Sequence, residues 1–473
     1  MRALLLTVLA AALLYVLAAE VSTAEAVLPF PEYSRSGSGE LLSDAECPRG
    51  LLLLESPRGN LVCLRKESAE KLLLRGFDPA SRDALMELRW TVSLVADPAH
   101  GITAESNRFG VDLYKILARD GGNVFFSPIA VYLAFSALYE GAGGKTREQI
   151  RDVFGMDLDV EARRAAAVDL LSRLERDNPY AAMNMRSAML IDDRFEVDED
   201  YVELARAYGT HVETTDVSSP DLERKIDQWA GHATRGHITD IVDSNKTMDA
   251  ASVMASPVYF DAEWQGRFPR DRITQFWFGD TMENDGLVET MHELCSCFYS
   301  RFIYNGIVVS WLQYRDSGLS MFVASQNYQQ ATPGNLETFE ESLTAEEILG
   351  WSSKVYIVRD LNIYMPQFRS LYDTDLRDPL SELGLDDIFD AQSADLGGIG
   401  SGIYLDSIVQ KGAMEVGWKG GVHPGKVFTN DFAHHFIAHP DLFFAIMDDS
   451  TGTILFMGRV SDPTTIFSPV FLR

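Results

Sequence analysis

Asn123-Val124-Phe125-Phe126-Ser127-Pro128 is the stretch that decides how this chain folds. The apolar residues after Gly121-Gly122 suit a short buried strand over 123–126. Ser127-Pro128 then starts a helix, with proline in its first turn, where a missing N–H costs nothing. Leu133, Phe135, Ala137 and Leu138 make that helix apolar around much of its surface, so it belongs at the centre of the fold. Upstream, Thr103-Ala104-Glu105 can cap a helix whose apolar positions Phe109, Leu113, Ile116 and Leu117 recur at helical spacing. Downstream, the patterning predicts helices over 160–177, 198–208 and 221–234. It predicts strands over 252–259, 307–312, 320–324, 361–364, 442–447 and 453–460. These elements interleave without regular strand–helix–strand spacing, which points to an α+β fold with large, mainly antiparallel sheets.

Composition narrows the function. The 473 residues are 46% hydrophobic and 23% charged, enough to bury a large core and too apolar for general disorder. Lys+Arg total 41 against 70 Asp+Glu, a formal charge of −29. Neutralising phosphates needs clustered cations, so nucleic acid and anionic membranes are not expected partners. Arg163-Arg164 is the densest basic pair in its neighbourhood, and two arginines do not make a heparin site.

Met1-Arg2 precedes an apolar run over 3–19 that ends at Glu20 and small residues, the pattern of a secretory signal with cleavage after Ala18, Ala19 or Ala26. The competing reading is a membrane anchor, since the run approaches the roughly 20 residues needed to span. The expected organisation is a signal peptide over 1–19, an extension over 20–100, a main domain over 101–465 and a tail over 466–473. The mature protein is expected to be soluble, extracellular and monomeric. Within the extension, 27–45 reads as a flexible linker. Cys47 and Cys63 bracket two apolar runs with Ser56-Pro57-Arg58-Gly59-Asn60 between them, a strong turn composition. They read as a stapled hairpin, a closure typically worth about 3 kcal/mol. Cys295 and Cys297 fall on one face of a strand and can bridge each other, stay free or exchange with the first pair. Asn245-Lys246-Thr247 is a glycosylation sequon in a polar loop, which marks Asn245 as an acceptor.

Catalytic patterns fail one by one. Gly144-Lys145-Thr146 mimics the end of a phosphate loop, but the position needing the first glycine is Tyr139, and a turn ending a helix fits better. His292-Glu293 lacks the second histidine of a zinc-protease helix, because Ser296 stands there. Gly400-Ser401-Gly402 lacks the spacing of a nucleophile elbow. His434, His435 and His439 cluster on an expected strand, where adjacent residues face opposite ways. No nucleophile, acid and base can be named, so no enzyme activity, metal or cofactor is expected.

From about Thr103 to Pro463 the chain resembles a serpin. Its opening resembles the family in Asn123–Pro128, Leu138-Tyr139-Glu140-Gly141-Ala142 and Thr146. Ile226-Asp227-Gln228-Trp229, Thr234 and Gly236-His237-Ile238 are similar to the helix that lies across the main sheet. Tyr259-Phe260, Trp264 and Phe268 resemble the strand and breach region. Pro366-Gln367-Phe368, Leu380, Leu383-Gly384, Phe389 and Ala394-Asp395-Leu396 follow in family order. The run from Asp449 to Val460 resembles the closing hairpin. The resemblance implies a serpin-like fold with about eight or nine helices. It also implies a mechanical trap, in which a protease acylates an exposed loop and the cut loop enters the main sheet as a new strand.

The loop departs from that pattern. It reads Trp418-Lys419-Gly420-Gly421-Val422-His423-Pro424-Gly425-Lys426-Val427-Phe428-Thr429-Asn430, without the alanine run of the family's inhibitors. Nineteen residues separate Gly420 from Pro440, several fewer than those inhibitors have. Pro424 has no N–H and would lose a ladder bond in a central strand. The resemblance places the sheet-opening cluster at Ser127, Ala130, Ser256 and Gln410, of which only Ser127 keeps the usual residue. Pro257, in a strand lining the opening, is expected to leave a rung unpaired in any inserted state. The sequence therefore predicts a secreted, non-inhibitory serpin-like protein that binds an extracellular protein or a small ligand. The alternative is a serine-type endopeptidase inhibitor whose scissile bond falls between about Thr429 and His435.

Overall fold

The computed structural model describes residues 52–55, 61–64, 78–79 and 100–461, except 176–177, 218, 242–249, 266–267, 269–272, 278–286, 296–299, 305, 327–334, 355, 358–360, 418–433 and 438–441. The signal segment, the linker over 27–45, Cys47, Asn245, Cys297, the loop over 418–430, His439 and the tail over 466–473 lie outside the described residues. The chain divides into two compact units, Met1–Asp97 and Pro98–Arg473.

In the first unit, strands β1 (Leu52–Glu55), β2 (Leu61–Leu64) and β3 (Asp78–Pro79) form a sheet of order β2-β1-β3. β1 and β2 pair antiparallel across 56–60, with Cys63 opposite Leu53.

The second unit opens with α1 (His100–Leu117) and β4 (Val124–Phe126). Helices α2 (Pro128–Gly141), α3 (Gly144–Phe154) and α4 (Val160–Leu174) follow. Next come β5 (Ala181–Asn184), β6 (Ser187–Asp192), α5 (Glu199–Arg206), β7 (Thr210–Thr215) and α6 (Pro220–Ala233). A run of strands occupies the middle: β8 (Ser252–Ala262), β9 (Ile273–Trp277), β10 (Leu287–Cys295), β11 (Ser300–Tyr304), β12 (Ile307–Gln313) and β13 (Leu319–Gln326). Then come α7 (Leu336–Ser342), α8 (Ala345–Lys354), β14 (Tyr356–Ile357), β15 (Leu361–Pro366) and β16 (Phe368–Asp375). The chain closes with α9 (Arg377–Glu382), β17 (Ser407–Val416), β18 (His434–Ile437), β19 (Leu442–Asp448) and β20 (Ile454–Val460).

These strands build three mainly antiparallel sheets, so the fold is α+β as expected. The orders are β14-β11-β12-β13-β19-β20-β4, β18-β15-β10-β9 and β16-β17-β8-β6-β7, with β5 also on β8. Ser127 caps α2 as its sequence predicts, accepting the Ala130 N–H, and nearly every residue of α2 is buried. Ser127 Oγ donates to the Leu455 carbonyl at 2.7 Å, tying the helix to β20. Phe125 stacks on Phe456 at 5.5 Å in the layer between sheets. Gly458 permits this closeness, since a Cβ there would lie 2.0 Å from the Val124 carbonyl oxygen.

One local reading changes. Gly144-Lys145-Thr146 does not simply end a helix; it forms the first turn of α3. The link between α2 and α3 is so short that the residues closing one helix open the next, with Gly144 at φ +48°. The basic pair is also accounted for: Arg163 is fully buried and Arg164 is ion-paired to Glu140.

Candidate functional site

The structure directs attention to the seam between β8 and β17. These strands pair directly and in parallel, from Ser407 opposite Val253 to Met414 opposite Phe260. β17 ends at Val416, and the chain resumes in β18, which pairs parallel with β15 in the four-stranded sheet. The segment over 417–433 therefore joins two different sheets. His434 and His435 lie within β18, opposite Leu361 and Asn362, so a cut at those residues would fall in a paired strand and not in the loop.

Both faces of the seam are covered. On one side Leu222, Ile226, Ala230, Ile238 and Ile241, from α6 and the segment after it, pack with Val253, Ala255, Tyr259 and Ala413. His237 stacks on Tyr259 at 4.8 Å. Lys411 Nζ donates to the Asp240 carbonyl at 2.9 Å and ion-pairs with Asp373 at 3.3 Å. On the other side lies Phe125, whose ring would sit 2.6 Å from a Cβ at Gly412.

The four cluster residues come together on that second side. Ser127 N–H donates to Gln410 Oε1 at 2.8 Å, and Gln410 Nε2 donates back to the Ser127 carbonyl at 3.4 Å. Ala130 contributes only its backbone N–H, donated to Ser127 Oγ at 3.2 Å. Ser256 stands opposite Gln410 in the register, and its buried Oγ has no partner among the described residues. Burying a lone hydroxyl is unfavourable, so the closed seam is under-satisfied at this rung.

Pro257 corrects the expectation placed on it. Along a strand, the N–H and C=O groups of alternate residues point to opposite neighbours. Asp192 N–H donates to the Ala251 carbonyl and Glu263 N–H to the Tyr180 carbonyl, so odd residues of β8 face β6 and β5. Asp406 N–H donates to the Ser252 carbonyl, so even residues face β17. Pro257 is odd, and its carbonyl accepts from Asn184 Nδ2 at 2.6 Å. Its missing N–H is therefore turned away from the seam and removes no rung there.

At the loop end of the seam, Trp264 Nε1 donates to the Gly417 carbonyl at 2.9 Å, while its ring stacks on Tyr314 at 4.4 Å. Trp264 is recognisable in the sequence; its bond to the last described residue before the loop is not, because the two are 153 positions apart.

A family model, Serpin (serine protease inhibitor), matches residues 104–463. The chain belongs to the serpin family. It is similar to an uncharacterized serpin-like protein of Methanosarcina acetivorans, 28% identical over 391 residues, covering 77% of this chain and 88% of that protein. It is 25% identical to the leukocyte elastase inhibitor of Homo sapiens over 385 residues, 76% of this chain and 99% of that protein. The fold is shared with uncleaved ovalbumin at a TM-score of 0.69 and 22% identity, covering 76% of this chain and all of that one.

Proposed function

We propose that this is a secreted serpin-family protein that does not trap proteases and acts by binding an extracellular protein or a small ligand. The observation that carries the reading is the double coverage of the β8–β17 seam, set against the loop that would have to enter it. An inserted strand alternates its side chains between two faces. His423 and Lys426 are three residues apart, so they would face opposite ways. One phase sets Lys426, and the other His423, on the face that carries Phe125 and the Ser127–Gln410 bonds. Either phase buries an ionisable group, and an unpaired buried ammonium carries a desolvation penalty of several kcal/mol. Pro424 leaves a rung open whichever neighbour it faces. The reading assigns no catalytic residue. Asn245 is proposed as its carbohydrate site, and Cys47 with Cys63 as its staple.

The test is incubation with trypsin-, chymotrypsin- and elastase-like serine proteases, read on denaturing gels. Cleavage within 418–433 with no detergent-stable covalent band is expected; such a band overturns the reading. A serine-type endopeptidase inhibitor working through its short loop is the second reading. What favours it is Gly420, which resembles the glycine at the hinge where the family's inhibitors begin their loop, together with a Pro257 that leaves the seam free. Its scissile bond would then fall upstream of His434.

A further inference from the structure

We propose, building on the binding role inferred above, that a cleft beside α6 holds a free peptide of about four residues. Its amino group sits at Glu223 and Asp227, and its carboxylate at His232 and Arg235. The cleft has a volume of about 820 Å³ and lies between α6 and the chain that turns back after it. That size suits a small organic ligand. Its far wall is fixed in place. Gly236 N–H donates to the Gly231 carbonyl at 2.7 Å, Ile238 N–H to Thr234 Oγ1 at 3.0 Å, and Ile241 N–H to Asp227 Oδ1 at 3.0 Å. Gly231 keeps the floor open, because a Cβ there would already touch the Ile238 carbonyl oxygen and Thr239 Cγ2 at 3.7 Å.

The two ends of the cleft carry opposite charge. Glu223 and Asp227 stand about one turn apart on α6 and line the cleft half-buried. Burial, then the like charges of Glu223 and Asp240, push the Asp227 carboxyl above its ordinary range, against the pull of the Ile241 N–H and Lys411. Lys411 is itself engaged by Asp240 and Asp373. Arg224 at the rim offsets only one of the two carboxylates, so this end stays negative, and a cation seated there relieves the crowding. At the other end, neither the His232 nor the Arg235 side chain has a hydrogen bond or ion pair among the described residues. The closing carbonyls of the helix do not need them. The N–H groups of Gly236, Arg235 and His237 already donate to the carbonyls of Gly231, His232 and Thr234. Glu223 and His232 are nine positions apart, about 14 Å along the axis at roughly 1.5 Å per residue. An extended tetrapeptide spans about 13–14 Å, which matches.

Equilibrium dialysis of the full chain against tetra-alanine tests this. One peptide is expected to bind per chain. Acetylated and amidated tetra-alanine, and dialanine, which reaches only about 7 Å, are each expected to bind at least tenfold more weakly. Asp227→Asn keeps an acceptor for the Ile241 N–H, and Arg235→Asn suits the left-handed φ of +52° there. Each should weaken binding roughly tenfold, the scale of one charge-assisted hydrogen bond. Lys225→Gln, exposed on α6 but outside the cleft, should leave binding unchanged. No binding of tetra-alanine overturns the proposal. So does equal binding of the blocked peptide, which would place a segment of a longer chain there, and so do Asp227→Asn and Arg235→Asn proteins that bind like the parent. The covalent-complex assay does not read this binding, so either idea can fail alone.

Discussion

Gln410 on β17 and Ser127 at the head of α2 are 283 positions apart and hold each other through two hydrogen bonds between a side-chain amide and a backbone peptide. Gln410→Ala leaves the fully buried Ser127 N–H without its acceptor. The expected loss is about 1–3 kcal/mol of unfolding free energy by urea titration. Ser256→Ala removes a hydroxyl that has no partner among the described residues, so it is expected to be neutral or stabilising. Equal losses from the two variants would contradict this bonding pattern.

Close approach at two glycines makes a graded prediction. A methyl at Gly458 meets the Val124 carbonyl at 2.0 Å, which is rigid backbone, whereas at Gly412 it meets the Phe125 ring at 2.6 Å. Gly412→Ala is expected to cost about 1–3 kcal/mol, and Gly458→Ala more. Thermal melts of the two variants should rank them in that order.

Asp192 sets an acid dependence. Burial alone would raise its carboxyl, but the Arg194 side chain and the N–H groups of Arg194 and Val217 outweigh burial and hold it below the usual carboxylate range. A lowered folded value means the carboxylate contributes stability above the unfolded pKa of about 3.9. That contribution is lost as pH falls through the folded value. Asp192→Asn should therefore be less stable than the parent near pH 6, and the gap should close below about pH 4. A constant gap across that range would count against the ion pair.

Trp264→Phe keeps an aromatic ring over Tyr314 but removes the donor to Gly417. A loss of about 1 kcal/mol is expected, with faster cleavage of the adjoining loop by a nonspecific protease. Unchanged cleavage would show that the bond does not anchor the loop's base.

Heating the loop-cleaved protein checks the proposed function from the thermodynamic side. Little or no rise in Tm is expected, because a strand carrying Pro424 and Lys426 gains few favourable contacts by entering the sheet. A large rise would mean that the strand had entered.

Local chemistry was legible from the residues themselves. Ser127-Pro128 reads as a helix start because capping involves only the next few amides. The strand expected over 252–259 is present and runs on to Ala262. The helix expected over 160–177 stops at Leu174, where Glu175 makes its closing bond to Leu171. What a strand's edges face was not legible: Pro257 looks equally damaging toward either neighbour until β5, β6 and β17 are in place. The same holds for Gln410, whose partner lies at the opposite end of the domain's sequence. Gly412 could have been flagged, since glycine inside a strand often marks a close neighbour, but Phe125 as that neighbour emerges only from the packing.

The segment over 417–433 leaves one sheet at Val416 and joins another at His434, and β19 beyond it lies between β13 and β20. A single nick in that segment would split the polypeptide without releasing either piece, because the smaller fragment stays woven through the interior. Gel filtration should report the clipped molecule at its original size, and only a denaturant would reveal that the covalent thread had been severed.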